Sequence, residues 1–202
     1  MGAEERFSSF ADSVGLSTTS RDLSCLMRGA RWLAQASSAS GVSQYATAED
    51  ALLRAMGPAL AYFADPEAIT TGRLVDIGCG NGALGATIAF FSPNLFVDLV
   101  DRAKRAYTIA EVLVARLGLE NARVHHAAAQ EVRRRWDVAV FRALAPADEA
   151  LPLAVSLVVP GGHVCAYHRR GDTGFERPTV DLEVVGSYET LVSELSLTRY
   201  RR

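Results

Sequence analysis

The stretch Leu74–Gly85, "LVDIGCGNGALG", constrains this chain more than any other, because a strand-like apolar run breaks into four glycines within eight residues. An apolar helical pattern resumes directly after them. Glycines at a strand-to-helix junction allow a tight turn, and they bring backbone N–H groups close to a ligand at the helix N-terminus. Such junctions belong to open α/β sheets, whose ligands sit beyond the carboxyl ends of the strands where the strand order reverses.

The chain beyond Arg73 follows the same grammar. "RLVDIG" reads as a strand, "GALGATIAFF" as a helix with Leu84, Ile88 and Phe91 on one face, and "NLFVDLVD" as a second strand. A helix over Arg105 to Leu117, strands at "ARVHHA" and "WDVAVFRAL", a helix near Asp148 to Val158 and a strand at "GHVCAY" continue the alternation. Strands alternating with helices imply parallel pairing with right-handed crossovers, so the expected fold class is α/β, a Rossmann-like, doubly wound and mostly parallel sheet. After Gly171, "LEVVGSYET" and "SELSLTRYRR" suggest an antiparallel pair at one edge.

Up to Pro66 the sequence is Ala/Ser-rich with helical spacing, as in Leu23, Leu26, Ala30 and Leu33 and again in Leu52, Met56, Leu60 and Phe63. Two or three helices are expected there, with "ASSASGVSQYA" as a loop, Thr47 and Asp50 as an approximate capping box, and Gly57-Pro58 as an interruption. The expected division is an N-terminal helical cap over residues 1–66 and a ligand-binding α/β domain over residues 67–202.

Composition narrows the function classes. The chain has 202 residues, 49% of them hydrophobic, enough for one domain with a real core plus a small appendage. No window approaches the roughly 18 apolar residues of a membrane helix, and "MGAEERFSSF" is too acidic and polar for a signal peptide, so a cytoplasmic protein without membrane association is expected. Cys25, Cys79 and Cys165 are far apart and lack metal-ligand spacing; they read as reduced thiols, and no metal site is expected. A formal net charge of −2 excludes a global basic field. Local clusters remain at Arg133–Arg135, Arg169–Arg170 and Arg201–Arg202, nearly all the cationic charge being arginine, which suits phosphates and stacked bases.

Two ligand classes compete for the glycine loop. "GCGNGA" satisfies the dinucleotide pattern G-x-G-x-x-G/A, and Asp101 ends the following strand. Three details point instead to S-adenosylmethionine: Asp76 stands two residues before the first glycine, Gly78, Gly80 and Gly82 run as G-x-G-x-G, and Ala83 occupies the third dinucleotide position. Such a loop cradles the amino-acid end of the cofactor, while Asp101 takes the ribose hydroxyls. The plainer alternative is a tight connection with Asp76 as a strand-end cap.

From Leu74 to about Arg170 the chain resembles the small-subunit ribosomal RNA methyltransferase G family, also called GidB. "FRALAPADEAL" is similar to the family's Ser-Arg-Ala-x-Ala-Pro signature, "DIGCGNGALG" to its Asp-x-Gly-x-Gly-x-Gly-x-Pro-Gly loop, and "LVDRAKR" and "LGLENARV" to two further segments. The resemblance implies a class I methyltransferase that methylates a guanine N7 in 16S rRNA. It places cofactor contacts on Gly78, Ala83, Ala129, Gln130 and Arg142, with Arg142 binding the cofactor carboxylate or a substrate phosphate. S-adenosyl-L-homocysteine is the implied product.

The departures are equally specific. Where the family carries His-x-Leu-Asp-Ser ahead of the sheet, this chain reads "RAMGPAL", with Ala55, Gly57 and Pro58 at the polar positions. Leu84 replaces the loop proline, Phe141 replaces the serine before Arg142, and "YHRR" stands in place of the Leu-Lys-Gly after the fifth strand.

Guanine N7 has a free lone pair and loses no proton, so no general base is required. His168, near the carboxyl end of the fifth strand, is the candidate if one is used. Trp32, Tyr45 and Tyr62 are candidates for stacking on a ring, with ordinary packing as the alternative. Three functions follow from this pattern: an rRNA methyltransferase, a small-molecule methyltransferase acting on a heteroaromatic substrate with the remodelled N-terminus as a lid, or a non-catalytic cofactor-binding module.

Overall fold

A computed structural model of the chain describes residues 1–40, 45–178 and 182–202. Its centre is one sheet of seven strands: β1 (Gly72–Ile77), β2 (Leu95–Asp101), β3 (Ala122–His126), β4 (Trp136–Arg142), β5 (Val158–Arg169), β6 (Glu183–Glu189) and β7 (Leu195–Arg201). The order is β3-β2-β1-β4-β5-β7-β6, and β7 alone runs antiparallel to its neighbours. The expected doubly wound α/β sheet with an antiparallel edge pair is therefore present. Its order reverses between β1 and β4, which pair directly through Leu74↔Val138 to Asp76↔Val140. The loops that leave β1 and β4 thus flank the crevice where such sheets bind ligands.

Strand alternation divides the core. Leu74, Val138, Val140, Cys165 and Tyr167 face helices α4 (Ala83–Phe91) and α5 (Lys104–Leu117) and the N-terminal segment; Val75, Ile77, Ala139, Phe141 and Ala166 face α6 (Ala147–Leu157). Helix α4 is buried at every position from Ala83 to Ala89, which is why its sequence lacks a polar face. A four-residue α7 (Thr173–Glu176) brings Phe175 onto His168 at the carboxyl end of β5.

The N-terminal segment contains α1 (Ala3–Ser13), α2 (Ser20–Ser40) and α3 (Ala48–Ala51). Helix α2 runs through the first part of the expected loop, since Ala and Ser there continue a pattern already nucleated; Gly41 to Gln44 lie outside the described residues. Thr47 Oγ1 accepts the Asp50 N–H at 3.1 Å, but the Asp50 carboxylate turns to the Ala46 N–H at 3.2 Å, so half of the capping box forms. Helix α3 passes into a π-helical turn at Leu52–Met56 and a 3₁₀ segment at Gly57–Ala64, the interruption expected at Gly57-Pro58.

These helices are part of the core. Leu26, Leu33, Leu52 and Leu60 are fully buried, each removing apolar surface worth about 2 kcal/mol from water. Trp32 donates its indole N–H to the Ile109 carbonyl of α5 at 3.2 Å. Within the 3₁₀ segment, Tyr62 donates to the Ile69 carbonyl at 2.6 Å, and just past it buried Arg199 on β7 pairs with Asp65 and donates to the Glu67 carbonyl. Trp32 and Tyr62 therefore serve packing and local hydrogen bonding.

Candidate active site

Each glycine of the loop after β1 has its own reason. Gly78, Gly80 and Gly82 adopt φ of +62°, +55° and +78°, the left-handed region that disfavours a Cβ. A Cβ on Gly78 would lie 2.6 Å from Leu144 Cδ1, the tip of a side chain that can turn aside, whereas one on Gly82 would lie 2.7 Å from Ala110 Cβ and 3.1 Å from its Cα, so Gly82 is also needed for packing. Nothing lies within 4 Å of a Cβ on Gly80, which faces open space. Gly85 was not singled out in the sequence, and its role is the close contact with Asp76, whose Cβ and Oδ2 would each lie 2.9 Å from an added Cβ.

Asp76 is 1% exposed and its Oδ2 accepts the Gly85 N–H at 2.8 Å, in the first turn of α4. Burial pushes its carboxyl up to about 7, against the Gly85 hydrogen bond and the Arg142 charge, which act to lower it. Asp101, at the end of β2, accepts the Gly80 N–H at 2.9 Å through Oδ2 and the Ala103 N–H at 2.8 Å through Oδ1. Each oxygen keeps a second lone pair. Asn81 Oδ1 accepts the Ala83 N–H at 3.0 Å, and Asn81 Nδ2 donates to the Tyr45 hydroxyl at 3.2 Å, which ties the loop to the N-terminal segment. After β3, Ala129 is buried in a 3₁₀ turn while Gln130 is exposed beside it.

The sheet order sets the loops carrying Gln130, Asp101, Gly78–Gly82 and Arg142 side by side along one edge. That arrangement fits S-adenosylmethionine: an unobstructed glycine face, an acid with spare lone pairs one strand away, and an exposed amide two strands away. Behind the turn, Asp98 is held by Trp136 at 2.8 Å, His125 at 2.7 Å and Arg134 at 3.2 Å, which fixes β2, β3 and β4 relative to one another.

Arg142 ends β4 and donates from Nη1 to the main-chain carbonyls of Arg54 at 3.1 Å and Ala55 at 3.5 Å, in the π-helical turn. It also lines an open cleft of about 1580 Å³ between the N-terminal segment and the carboxyl ends of β4 and β5. Five arginines (Arg6, Arg54, Arg142, Arg169 and Arg170) line this cleft against three carboxylates, Asp50, Asp172 and Glu194. The cleft is thus locally cationic in a chain whose net charge is −2. Tyr45 contributes aromatic surface to it, and the buried Tyr167 borders it.

His168 lines the cleft yet is buried, stacked on Phe175 with ring centroids 4.9 Å apart. Nδ1 meets the Arg169 carbonyl at 2.8 Å and Nε2 meets Thr198 Oγ1 at 2.8 Å. A nitrogen facing a carbonyl must carry the proton, so Nε2 accepts from the threonine and neither nitrogen points a lone pair at the cleft.

The model of the family described as rRNA small subunit methyltransferase G, GidB, matches residues 32–177. The chain belongs to this family. Among its GidB relatives, the ribosomal RNA small subunit methyltransferase G of Thermotoga neapolitana is 36% identical over 100 residues, 48% of this chain and 44% of the relative. That of a Nocardioides species is 39% identical over 95 residues, 46% of this chain and 38% of the relative. The chain thus spans less than half the length of these curated relatives. The N-methyltransferase NodS from Bradyrhizobium japonicum, solved with S-adenosyl-L-homocysteine, shares the fold with a TM-score of 0.51, 17% identity and coverage of 65% of this chain and 79% of that one.

The departures from the GidB pattern now have physical reasons. Ala55, Gly57 and Pro58 are all buried, and Gly57 packs against Leu191 from the β6–β7 turn. Leu84 is buried within α4, and Phe141 is buried on the opposite face of the sheet against Phe175. Tyr45, a stacking candidate from the sequence, does line the cleft, whereas Tyr167 carried no sequence signal for its position, because nothing local distinguishes a tyrosine on a cleft wall from one in a core.

Proposed function

We propose that this protein transfers a methyl group from S-adenosylmethionine to a guanine N7 of small-subunit ribosomal RNA. The observation that carries this is the open, arginine-lined cleft next to the glycine loop; a small, uncharged acceptor needs neither its width nor its charge, whereas a polyanion matches both. The family of the chain and the S-adenosyl-L-homocysteine bound by its structural neighbour NodS support the cofactor assignment.

S-adenosylmethionine supplies an electrophilic methyl group on a sulfonium. The N7 lone pair forms the new N–C bond as the C–S bond breaks, leaving S-adenosyl-L-homocysteine and an N7-methylguanine cation. No proton moves, which agrees with the engaged nitrogens of His168. The protein's part is to hold the nucleophile about 3 Å from the methyl, in line with the leaving sulfur, and to exclude water. In this scheme Gly78, Gly80, Gly82 and Ala83 cradle the amino-acid end, Asp101 takes the ribose hydroxyls, and Ala129 and Gln130 flank the adenine. Asp76 shapes the loop, and Arg142 and its neighbours hold phosphate or carboxylate. Residues 1–66 form one wall of the acceptor cleft, and residues 67–202 form the cofactor domain and the opposite wall.

Small ribosomal subunits lacking the modification, incubated with the protein and methyl-labelled cofactor, are expected to yield labelled N7-methylguanine on RNA digestion. Label in small heteroaromatic compounds and none in RNA overturns the assignment, and tight cofactor binding with no turnover on either overturns the enzymatic reading.

A further inference from the structure

Tyr167 is 1% exposed, and its hydroxyl is one of three buried side-chain polar atoms among the described residues that have no hydrogen-bond partner. The other two, Thr87 and Ser92, lie on or beside α4, away from the cleft, whereas Tyr167 forms part of the cleft wall. It pairs in register with Arg142 where β4 and β5 end, and its charge environment includes both Arg142 and Asp76. Buried polar atoms are nearly always satisfied, and leaving one orphaned is costly.

We propose that the Tyr167 hydroxyl is a specificity-determining donor that binds a carbonyl oxygen on the ring of the methyl acceptor. This rests on the nucleobase reading given above. A guanine presents O6 beside N7, so a donor to O6 orients the ring while leaving the N7 lone pair free for the methyl. A site that hydrogen-bonds a substrate group discriminates strongly against the analogue lacking it, because its own polar group is then left unpaired. Burial pushes the phenol well above its ordinary range, so it remains protonated and able to donate.

The test uses Tyr167→Phe in the full chain, with S-adenosyl-L-homocysteine present and two nucleosides as probes: guanosine, and 2-aminopurine riboside, which lacks the exocyclic oxygen. Nucleoside binding is followed by NMR titration and cofactor-product binding by calorimetry. The variant is expected to melt at or above the wild-type temperature, to bind S-adenosyl-L-homocysteine unchanged, and to lose about tenfold in guanosine affinity with none in 2-aminopurine riboside. A lower melting temperature shows a partner within the protein, weaker S-adenosyl-L-homocysteine binding assigns the phenol to the cofactor, and equal preference of wild type for the two nucleosides removes the donor role; each overturns the proposal. Labelling of RNA by the wild type is scored separately, so its failure overturns the rRNA reading while the nucleoside pair still decides Tyr167.

Discussion

Leu191, in the turn between β6 and β7, fills the space that a side chain on Gly57 would need: a Cβ at residue 57 would lie 2.6 Å from Leu191 Cδ2. The break in the N-terminal segment and the tip of the C-terminal hairpin are fitted to each other, although 134 positions separate them.

Gly57→Ala measures that fit. Alanine gains about 1 kcal/mol over glycine in helical backbone, whereas overpacking costs about 1–3 kcal/mol. The substitution is expected to stabilise a Leu191→Ala background more than the wild type, where the Leu191 side chain must turn aside. Denaturant melts of the four proteins in the cycle read the coupling, and additive effects would show that the two residues do not compete for space.

The glycine loop gives a sharper contrast. Gly82→Ala combines φ of +78° with a contact 2.7 Å from Ala110 Cβ and is expected to cost about 3 kcal/mol of stability. Gly80→Ala meets open space and is expected to keep the fold, at about 1–2 kcal/mol, while reducing S-adenosyl-L-homocysteine affinity at least about tenfold. Thermal melts and calorimetry separate the two outcomes; unchanged affinity in Gly80→Ala would place the ligand elsewhere.

These residues show how much the sequence disclosed. The G-x-G-x-G pattern with Asp76 and Asp101 located the loop, its strand and its place in the sheet, because backbone conformation and strand periodicity are local properties. What separates Gly80 from Gly82 is not local: Ala110 comes from α5, Leu144 from the loop after β4, and only the packed sheet brings them to the loop. His168 shows the same limit. Its position at the end of β5 was legible, but its partners Thr198 and Phe175 arrive from segments whose patterns were weak, and they bury and fully bond the histidine that the sequence offered as a base candidate.

Asp76 makes stability depend on pH. Its carboxyl is raised to about 7 in the folded protein, so between about pH 4 and 7 the native state binds more protons than the unfolded chain. Its contribution therefore favours the fold at low pH and weakens as pH rises through that window. Asp76→Asn removes this term while its amide oxygen can still accept from Gly85. The melting temperature of wild type relative to Asp76→Asn is expected to fall from pH 5 to pH 8. His163, lowered by burial and the Arg199 charge, acts in the opposite direction but equally in both proteins. A constant difference across the range would show that Asp76 is not desolvated.

The cleft arginines are open to a salt titration. Arg169 and Arg170 are exposed on its rim, with Arg170 paired to Glu189 at 3.0 Å. If they contact phosphates, Arg169→Ala with Arg170→Ala reduces the slope of log affinity against log salt by about 0.7 per arginine lost. An unchanged slope would move the RNA off this rim.

Arg142 grips carbonyls of residues 54 and 55, not their side chains. An anchor made to main chain is blind to residue identity. Position 54, whose side chain lines the cleft, can therefore be recoded without unfastening the junction between wall and sheet, while Ala55 stays fixed by its burial in the core.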